Sequence, residues 1–250
     1  MFRFIFTAME KRVGFRIVRI SSDRKARLAD LSPEMRSAIE RAIPYTMTSP
    51  ERLAGLCTAV EHVVANKVPG AFVECGVWRG GSSMVAALTY LSLGHRDVDL
   101  FLFDTFEGMS QPSEEDVSPR GELAADLLAN NGRKAEIWAY SPIVDVRRNL
   151  LSTGYPENRT QFIKGMVEET IPGFAPEQIS ILRLDTDWYE STKHELIHLF
   201  PRLSRNGILI IDDYGHWAGA RKAVDEYFAS QGMKPFLSRL DNTGRIYVKC

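Results

Sequence analysis

Two aspartates, Asp185 and Asp187, close the apolar run ILRLDTD, and two more, Asp212 and Asp213, close a second one, GILIIDD. Each run has the length and aliphatic content of a buried strand. Adjacent parallel strands carry their carboxyl ends side by side, so Asp185 and the Asp212/Asp213 pair are expected to converge. Carboxylates that close raise one another's pKa unless a cation neutralises them. An all-oxygen donor set with no supporting cysteine or histidine cluster fits a hard metal, Mg²⁺ first, with Mn²⁺ or Ca²⁺ as substitutes. Helix N-caps at the two turns would explain one acid in each and leave the second unexplained.

The stretch VECGVWRGGSS, residues 73–83, follows another strand pattern. Gly76, Gly80 and Gly81 permit a sharp turn and a close approach to a ligand, and the helix behind them presents free N–H groups. The spacing is not the dinucleotide GxGxxG. Glu74 sits inside the apolar strand, where a buried carboxylate needs a partner; backbone donors or a cationic ligand would serve. LFDTFEGM puts Asp104 at the end of the next strand, where nucleoside-binding folds set a carboxylate against the ribose hydroxyls. Its distance from the glycine turn favours that role over simple helix capping.

Histidine offers less. His194 and His198 lie four apart, a zinc-binding spacing for which no third ligand is in register, so a packed or solvated helix face is expected. His216 follows Asp212, Asp213 and Tyr214 closely enough to assist with protons. Two short patterns point elsewhere: Tyr189 and Lys193 spell the YxxxK of short-chain dehydrogenases, and Asp185-Thr186-Asp187 spells the DxD of metal-dependent glycosyltransferases. Patterns this short recur by chance, and the first lacks its family's glycine turn and upstream serine. A non-catalytic nucleoside-binding subunit is a third alternative, although a binder has no use for the metal acids.

These residues need a scaffold that brings strand ends together. Strands are expected at 71–77, 99–105, 160–166, 179–186 and 207–213, alternating with helices at 49–66, 82–93, 120–131, 142–152, 190–204 and 217–231. Such alternation makes an α/β fold, a parallel sheet covered on both faces. Two further strands, 236–240 and 245–249, flank Asp241-Asn242-Thr243-Gly244 and form an antiparallel edge hairpin. Residues 108–140 break the rhythm and read as an insertion over the carboxyl edge, a lid or a subunit contact. Trp138 and Tyr140 then face either the substrate or a satellite hydrophobic cluster.

The 250 residues suit one α/β domain with a substantial core. A net charge of -1 gives no global electrostatic case for nucleic acid. Cys57, Cys75 and Cys250, at unrelated spacings, suit a reducing cytoplasm. Residues 1–30 carry eight Lys/Arg against three acids, and charges interrupt every apolar run. That argues against a membrane helix of roughly 20 residues and against a signal peptide. The basic arm and helix in 1–43 are expected to dock on the domain at 44–250 or on a neighbouring subunit of a homo-oligomer. Peripheral contact with an anionic membrane surface is the other reading.

Together, YTMTSPERL, FVECGVWRGGSS, LFDTFEGM, NLLSTGYPENRTQFIKGMVEETIP, LRLDTDWYEST and GILIIDDYGHWAGARKAVDEYF resemble, in that order, the macrocin/mycinamicin-type sugar O-methyltransferases over roughly residues 44–249. The resemblance implies a class I S-adenosylmethionine-dependent methyltransferase fold, Rossmann-like, with a seven-stranded, mostly parallel sheet and an antiparallel C-terminal hairpin. It implies S-adenosylmethionine as methyl donor, Mg²⁺ or Mn²⁺, and a small-molecule acceptor, a hydroxyl of a sugar or glycosylated secondary metabolite. On it, Glu74, Gly76, Val77, Gly80, Gly81 and Ser82 line the methionine end of the donor, and Asp104 holds the ribose. Tyr45, Thr46, Met47 and Ser49 close over the donor, while Gly165, Met166, Val167 and Glu168 border the adenine. Asp185, Asp212 and Asp213 bind the metal, with Asp187 in outer support; whether Asp185 or Asp187 is the inner ligand stays open. Asp185, Asp187 or His216 takes the acceptor's proton.

Overall fold

The computed structural model describes residues 27–133 and 135–250; most of the basic stretch in 1–30 lies outside the described residues. Helix α1 (Pro33–Ala42) starts on Ser32, whose hydroxyl accepts the Met35 N–H at 3.2 Å, with Pro33 at the first helical position. Its buried residues, Met35, Ala38, Ile39 and Ala42, repeat at helical spacing. Helix α2 (Pro50–Ala65) starts the same way on Ser49 and Pro50.

The chain then alternates. In order come β1 (Ala71–Cys75), α3 (Gly81–Ser92), β2 (Leu100–Asp104), α4 (Ala124–Asn130), α5 (Ile143–Leu151), β3 (Thr160–Lys164), α6 (Val167–Thr170) and β4 (Ile179–Leu184). They are followed by α7 (Tyr189–Leu199), β5 (Leu203–Ile211), α8 (Ala218–Ser230), β6 (Ser238–Arg239) and β7 (Arg245–Val248). One sheet results, in the order β3-β2-β1-β4-β5-β7-β6, with β1 to β5 parallel and the last two strands antiparallel. Strand order reverses between β1 and β4, the switch point where open α/β sheets form their crevice.

Side-chain alternation assigns each strand residue to a layer. Phe72, Leu100, Leu102, Ile181, Ile208 and Ile210 pack among α1, α2, α3 and α5, whereas Val73, Phe103, Leu182 and Leu209 pack against α7 and α8. Each large aliphatic side chain so buried contributes about 1.5–3 kcal/mol. Glu74 and Arg183 lie two residues beyond Phe72 and Ile181, so both face the α2 and α3 layer.

Three element boundaries differ from the expected ones by more than two residues, the start of β5 among them, at Leu203 rather than 207. The helix expected over 190–204 ends at Leu199, because Pro201 falls in a 3₁₀ turn over Phe200–Arg202 and β5 already begins at Leu203. The helix expected over 120–131 starts only at Ala124, since the preceding residues form a loop bridged between Val117 and Leu123. Among the described residues no helix is long and apolar enough to cross a membrane.

Candidate active site

Two cavities open at the carboxyl edge. The first is lined by Gly76, Phe103, Asp104, Gly165, Met166, Val167, Glu168, Thr186 and Ser191, among others. The second, about 580 Å³, is walled by Tyr45–Thr48, Arg52, Val77, Gly81, Ser82, Arg183, Asp212, Asp213, His216 and Trp217. Ser118–Arg120, Glu122, Leu127, Glu136 and Ile137 of the 108–140 insertion complete it. Six residues, Met47, Trp78, Met109, Ala139, Asp185 and Asp187, belong to both walls and form the junction between the cavities.

The chain leaves β1 through Gly76, at φ 81°, where any side chain would overlap the Asp185 backbone. The Asp185 N–H donates to the Cys75 carbonyl at 2.8 Å and holds the ends of β1 and β4 together. Asp104 pins the same turn: its Oδ2 accepts the Val77 and Trp78 N–H groups at 2.7 and 2.9 Å, and its Oδ1 accepts that of Phe106 at 2.6 Å. Burial raises the Asp104 pKa against the opposing pull of those three amides. Of the other residues expected at the donor, Ser49, Glu74 and Gly80 lie behind the walls. Ser49 caps α2 and donates to Asp241 at 2.5 Å, and Gly80 caps α3 at φ 88°.

Glu74 has its partners inside the protein. Its carboxylate accepts from the Ser83 hydroxyl and, at 2.7 Å, from Nη1 of Arg183, a residue 2% exposed that sequence reasoning passed over. The same guanidinium donates to Asp185 at 2.6 Å, to Asp212 at 2.6 Å and to the Thr48 hydroxyl at 3.0 Å. Arg52 takes the other oxygen of Asp212 and is itself held by Asp241 at 2.9 Å. Two arginines therefore already supply part of the positive charge that the converging acids demand.

The acids do converge. Ligand atoms of Asp185, Asp212 and Asp213 all lie within 4.8 Å of one another, and Oδ2 of Asp213 is buried without a hydrogen-bond partner. An orphaned carboxylate oxygen beside two others is a donor set that fits a hard divalent cation. Burial first, then Asp187 and Asp185, push Asp213 well above the usual carboxylate range. Asp187 stands outside the trio, in left-handed backbone at φ 69°, and its Oδ1 accepts the Trp217 indole N–H at 2.8 Å. Burial, with Asp185 next, raises its pKa to about 7. His216 lines the cleft edge-on to Trp217, and burial with Arg52 nearby lowers its pKa.

The insertion is fastened at Asp116, fully buried, which sequence reasoning also missed. Its Oδ1 accepts the Tyr189 N–H at 2.8 Å, capping α7 from a distance, while its Oδ2 accepts the Ser113 N–H and hydroxyl at 2.7 and 2.8 Å. A side chain at Gly219 of α8 would overlap that carboxylate. Above it Ala124 and Leu128 cluster with Trp188 and Trp217, with Trp138 packed against them; Tyr140 points away, half exposed, into a shallow outer groove. A further buried acid, Glu195 of α7, accepts from Thr186 at 2.9 Å, and burial raises its pKa well above the usual range.

The YxxxK pattern and the histidine pair fall outside both cavities, whereas Asp185, Thr186 and Asp187 line them. Tyr189 donates to Glu226 at 2.7 Å and accepts from Lys193 at 2.9 Å on the flank of α7. His194 bonds the Ile171 carbonyl at 2.9 Å, and among the described residues no third ligand joins it and His198.

A family model described as macrocin O-methyltransferase (TylF) matches residues 6–249. The chain is 35% identical over 215 residues to the 8-demethyl-8-(2,3-dimethoxy-alpha-L-rhamnosyl)-tetracenomycin-C 4'-O-methyltransferase of Streptomyces olivaceus, covering 86% of this chain and 79% of the relative. It is 31% identical over 202 residues to the mycinamicin III 3''-O-methyltransferase of Micromonospora griseorubida, covering 81% and 77%. Among solved structures, the O-methyltransferase NovP superposes with a TM-score of 0.71 at 31% identity, over 82% of each chain.

Proposed function

Because the chain belongs to the macrocin O-methyltransferase family, and is an S-adenosylmethionine-dependent O-methyltransferase of class I fold, we propose that it methylates a sugar hydroxyl on a glycosylated natural product, with Mg²⁺ or Mn²⁺ held by Asp185, Asp212 and Asp213. The observation that carries this reading is the junction, where Asp185 and Asp187 stand between the cavity of Asp104 and the wider cleft of the acids.

In this reading the donor's base and ribose lie in the first cavity, and its amino-acid end reaches through the junction into the second. Gly165, Met166, Val167 and Glu168 border its base, Asp104 takes its ribose, and Gly76, Val77, Gly81 and Ser82 meet its amino-acid end beneath Tyr45, Thr46 and Met47. The donor supplies an electrophilic sulfonium methyl, and a bound divalent cation lowers the pKa of an acceptor hydroxyl beside it. Asp187, with a pKa near neutrality and its Oδ1 held by Trp217, receives the proton, with His216 on the same cleft wall as the alternative acceptor. Met47, Trp78 and Met109 form an apolar collar that keeps water from the junction. The outer cleft offers Arg120, Glu122 and Glu136 to sugar hydroxyls and Leu127 and Ile137 to an apolar aglycone.

The test is calorimetric binding of S-adenosylmethionine, with NADH and a UDP-sugar as controls, followed by mass spectrometry of glycosides incubated with Mg²⁺ or chelator. Binding of the sulfonium donor alone, lost in Asp104→Ala, and methyl transfer only with metal are expected. Binding of a control in its place would sink the donor assignment, and full turnover in chelator would sink the metal.

A further inference from the structure

The geometry points to Arg183 as a positioning residue that makes donor binding and metal binding depend on each other, an inference that rests on the donor and metal reading above. Arg183 rises from the centre of the sheet, and its register partner Glu74 fixes it from behind, with side chains 2% and 1% exposed. A guanidinium has four terminal N–H groups. Here Nη1 serves Glu74 and Asp185, and Nη2 serves Asp212 and Thr48, so all four are committed.

Two of those acceptors, Asp185 and Asp212, are the carboxylates assigned to the metal. The fourth, Thr48, belongs to the loop that walls the cleft, and its hydroxyl lies 3.5 Å from that of Ser82, where the donor's amino-acid end is placed. A cation on Asp185 and Asp212 competes with Arg183 for the same two carboxylates. The Nη2 N–H it displaces from Asp212 is released beside Thr48 and Ser82, where the α-carboxylate of the donor needs a partner. In the reverse direction, a donor carboxylate that draws Arg183 forward uncovers Asp185 and Asp212 for the cation. Each ligand thus favours the other, and by linkage the factor is the same in both directions. A purely structural counter-ion would stabilise the fold and leave the two affinities independent.

Titration of S-adenosylhomocysteine, which has the same amino-acid end and transfers nothing, into the full chain with Mg²⁺ and with chelator measures that factor. Titration of Mg²⁺ with and without S-adenosylhomocysteine measures it a second time. Binding at least about fivefold tighter with metal is expected for the unaltered chain, the low end of ordinary couplings. Lysine keeps the charge but is a point donor that cannot span four acceptors, so in Arg183→Lys the factor should fall to within about twofold of unity. Thr48→Val leaves every carboxylate and both arginines in place and should also lower the factor, which keeps the test decisive if Arg183→Lys does not fold. A factor of unity in the unaltered chain, or one unchanged in the variants that fold, overturns the inference. An unaltered chain that binds no S-adenosylhomocysteine at all overturns the donor reading instead, before any variant is made.

Discussion

Glu74 and Arg183 are register partners on adjacent parallel strands, joined at 2.7 Å in the middle of an otherwise apolar layer. Removing one member of such a pair leaves an uncompensated buried charge, a loss of about 3–5 kcal/mol. Arg183→Met should therefore be severely destabilised in urea denaturation, since it strands Asp185 and Asp212 as well as Glu74. Glu74→Gln combined with Arg183→Met should recover part of the loss, and a double variant no more stable than Arg183→Met would contradict the pairing.

The orphaned oxygen of Asp213 predicts a change of sign with metal. In chelator, Asp213→Asn should be as stable as the unaltered chain or more so, because it removes a buried charge next to Asp187 and Asp185. Mg²⁺ at 100 times its Kd should raise the stability of the unaltered chain by about 2.7 kcal/mol and leave Asp213→Asn unmoved. Thermal melts of both proteins, with and without Mg²⁺, read the two effects together.

Asp241 predicts an acid limit. Burial opposes its ionisation, yet the Ser49 hydroxyl, the Gly244 amide and Arg52 hold its pKa down at about 2. A carboxylate depressed in the folded state contributes stability that is complete above its unfolded value and lost as pH falls through the folded one. The advantage of the unaltered chain over Asp241→Asn should thus be about 1–2 kcal/mol near neutrality and vanish between about pH 4 and pH 2. A difference that is flat across acid titration curves would show that the Ser49, Arg52 and Gly244 contacts are not what it measures.

Asp116→Ala should cost about 1–3 kcal/mol by leaving the Tyr189 N–H and Ser113 unsatisfied. The local consequence separates it from a general loss. Hydrogen exchange should rise across 113–128 and the first turn of α7, while β1 and β4 stay protected to the same extent relative to global stability.

Most of the scaffold was legible because its strands are short apolar runs closed by turn residues, and because Ser49-Pro50 announces α2. Pro201 marked where α7 stops, but the apolar pattern ran past it and masked the start of β5. The converging acids were legible from the strand ends alone; the arginines among them were not. Arg183 looks like a single interruption in ILRLD, and only the register that sets it opposite Glu74 reveals that two charges in two apolar runs account for each other. Glu195 could have been found, since it shares the apolar face of α7 with Thr192, Leu196 and Leu199. Asp116 and Ser113 read locally as an ordinary loop pair, and the role that matters was hidden because the Tyr189 N–H that Asp116 caps is 73 positions away.

Ser118–Arg120, Glu122, Leu127, Glu136 and Ile137 line the wider cleft and leave the first cavity to other segments. Asp116, seated against Tyr189 and Gly219, fastens this stretch independently of the cleft it shapes. The stretch is therefore a cassette: chimaeras that exchange it between relatives, keeping Ser113, Asp116 and Gly219, would change which glycoside is accepted while inheriting the transfer chemistry intact. Natural diversification of acceptors has the same low-risk route open to it.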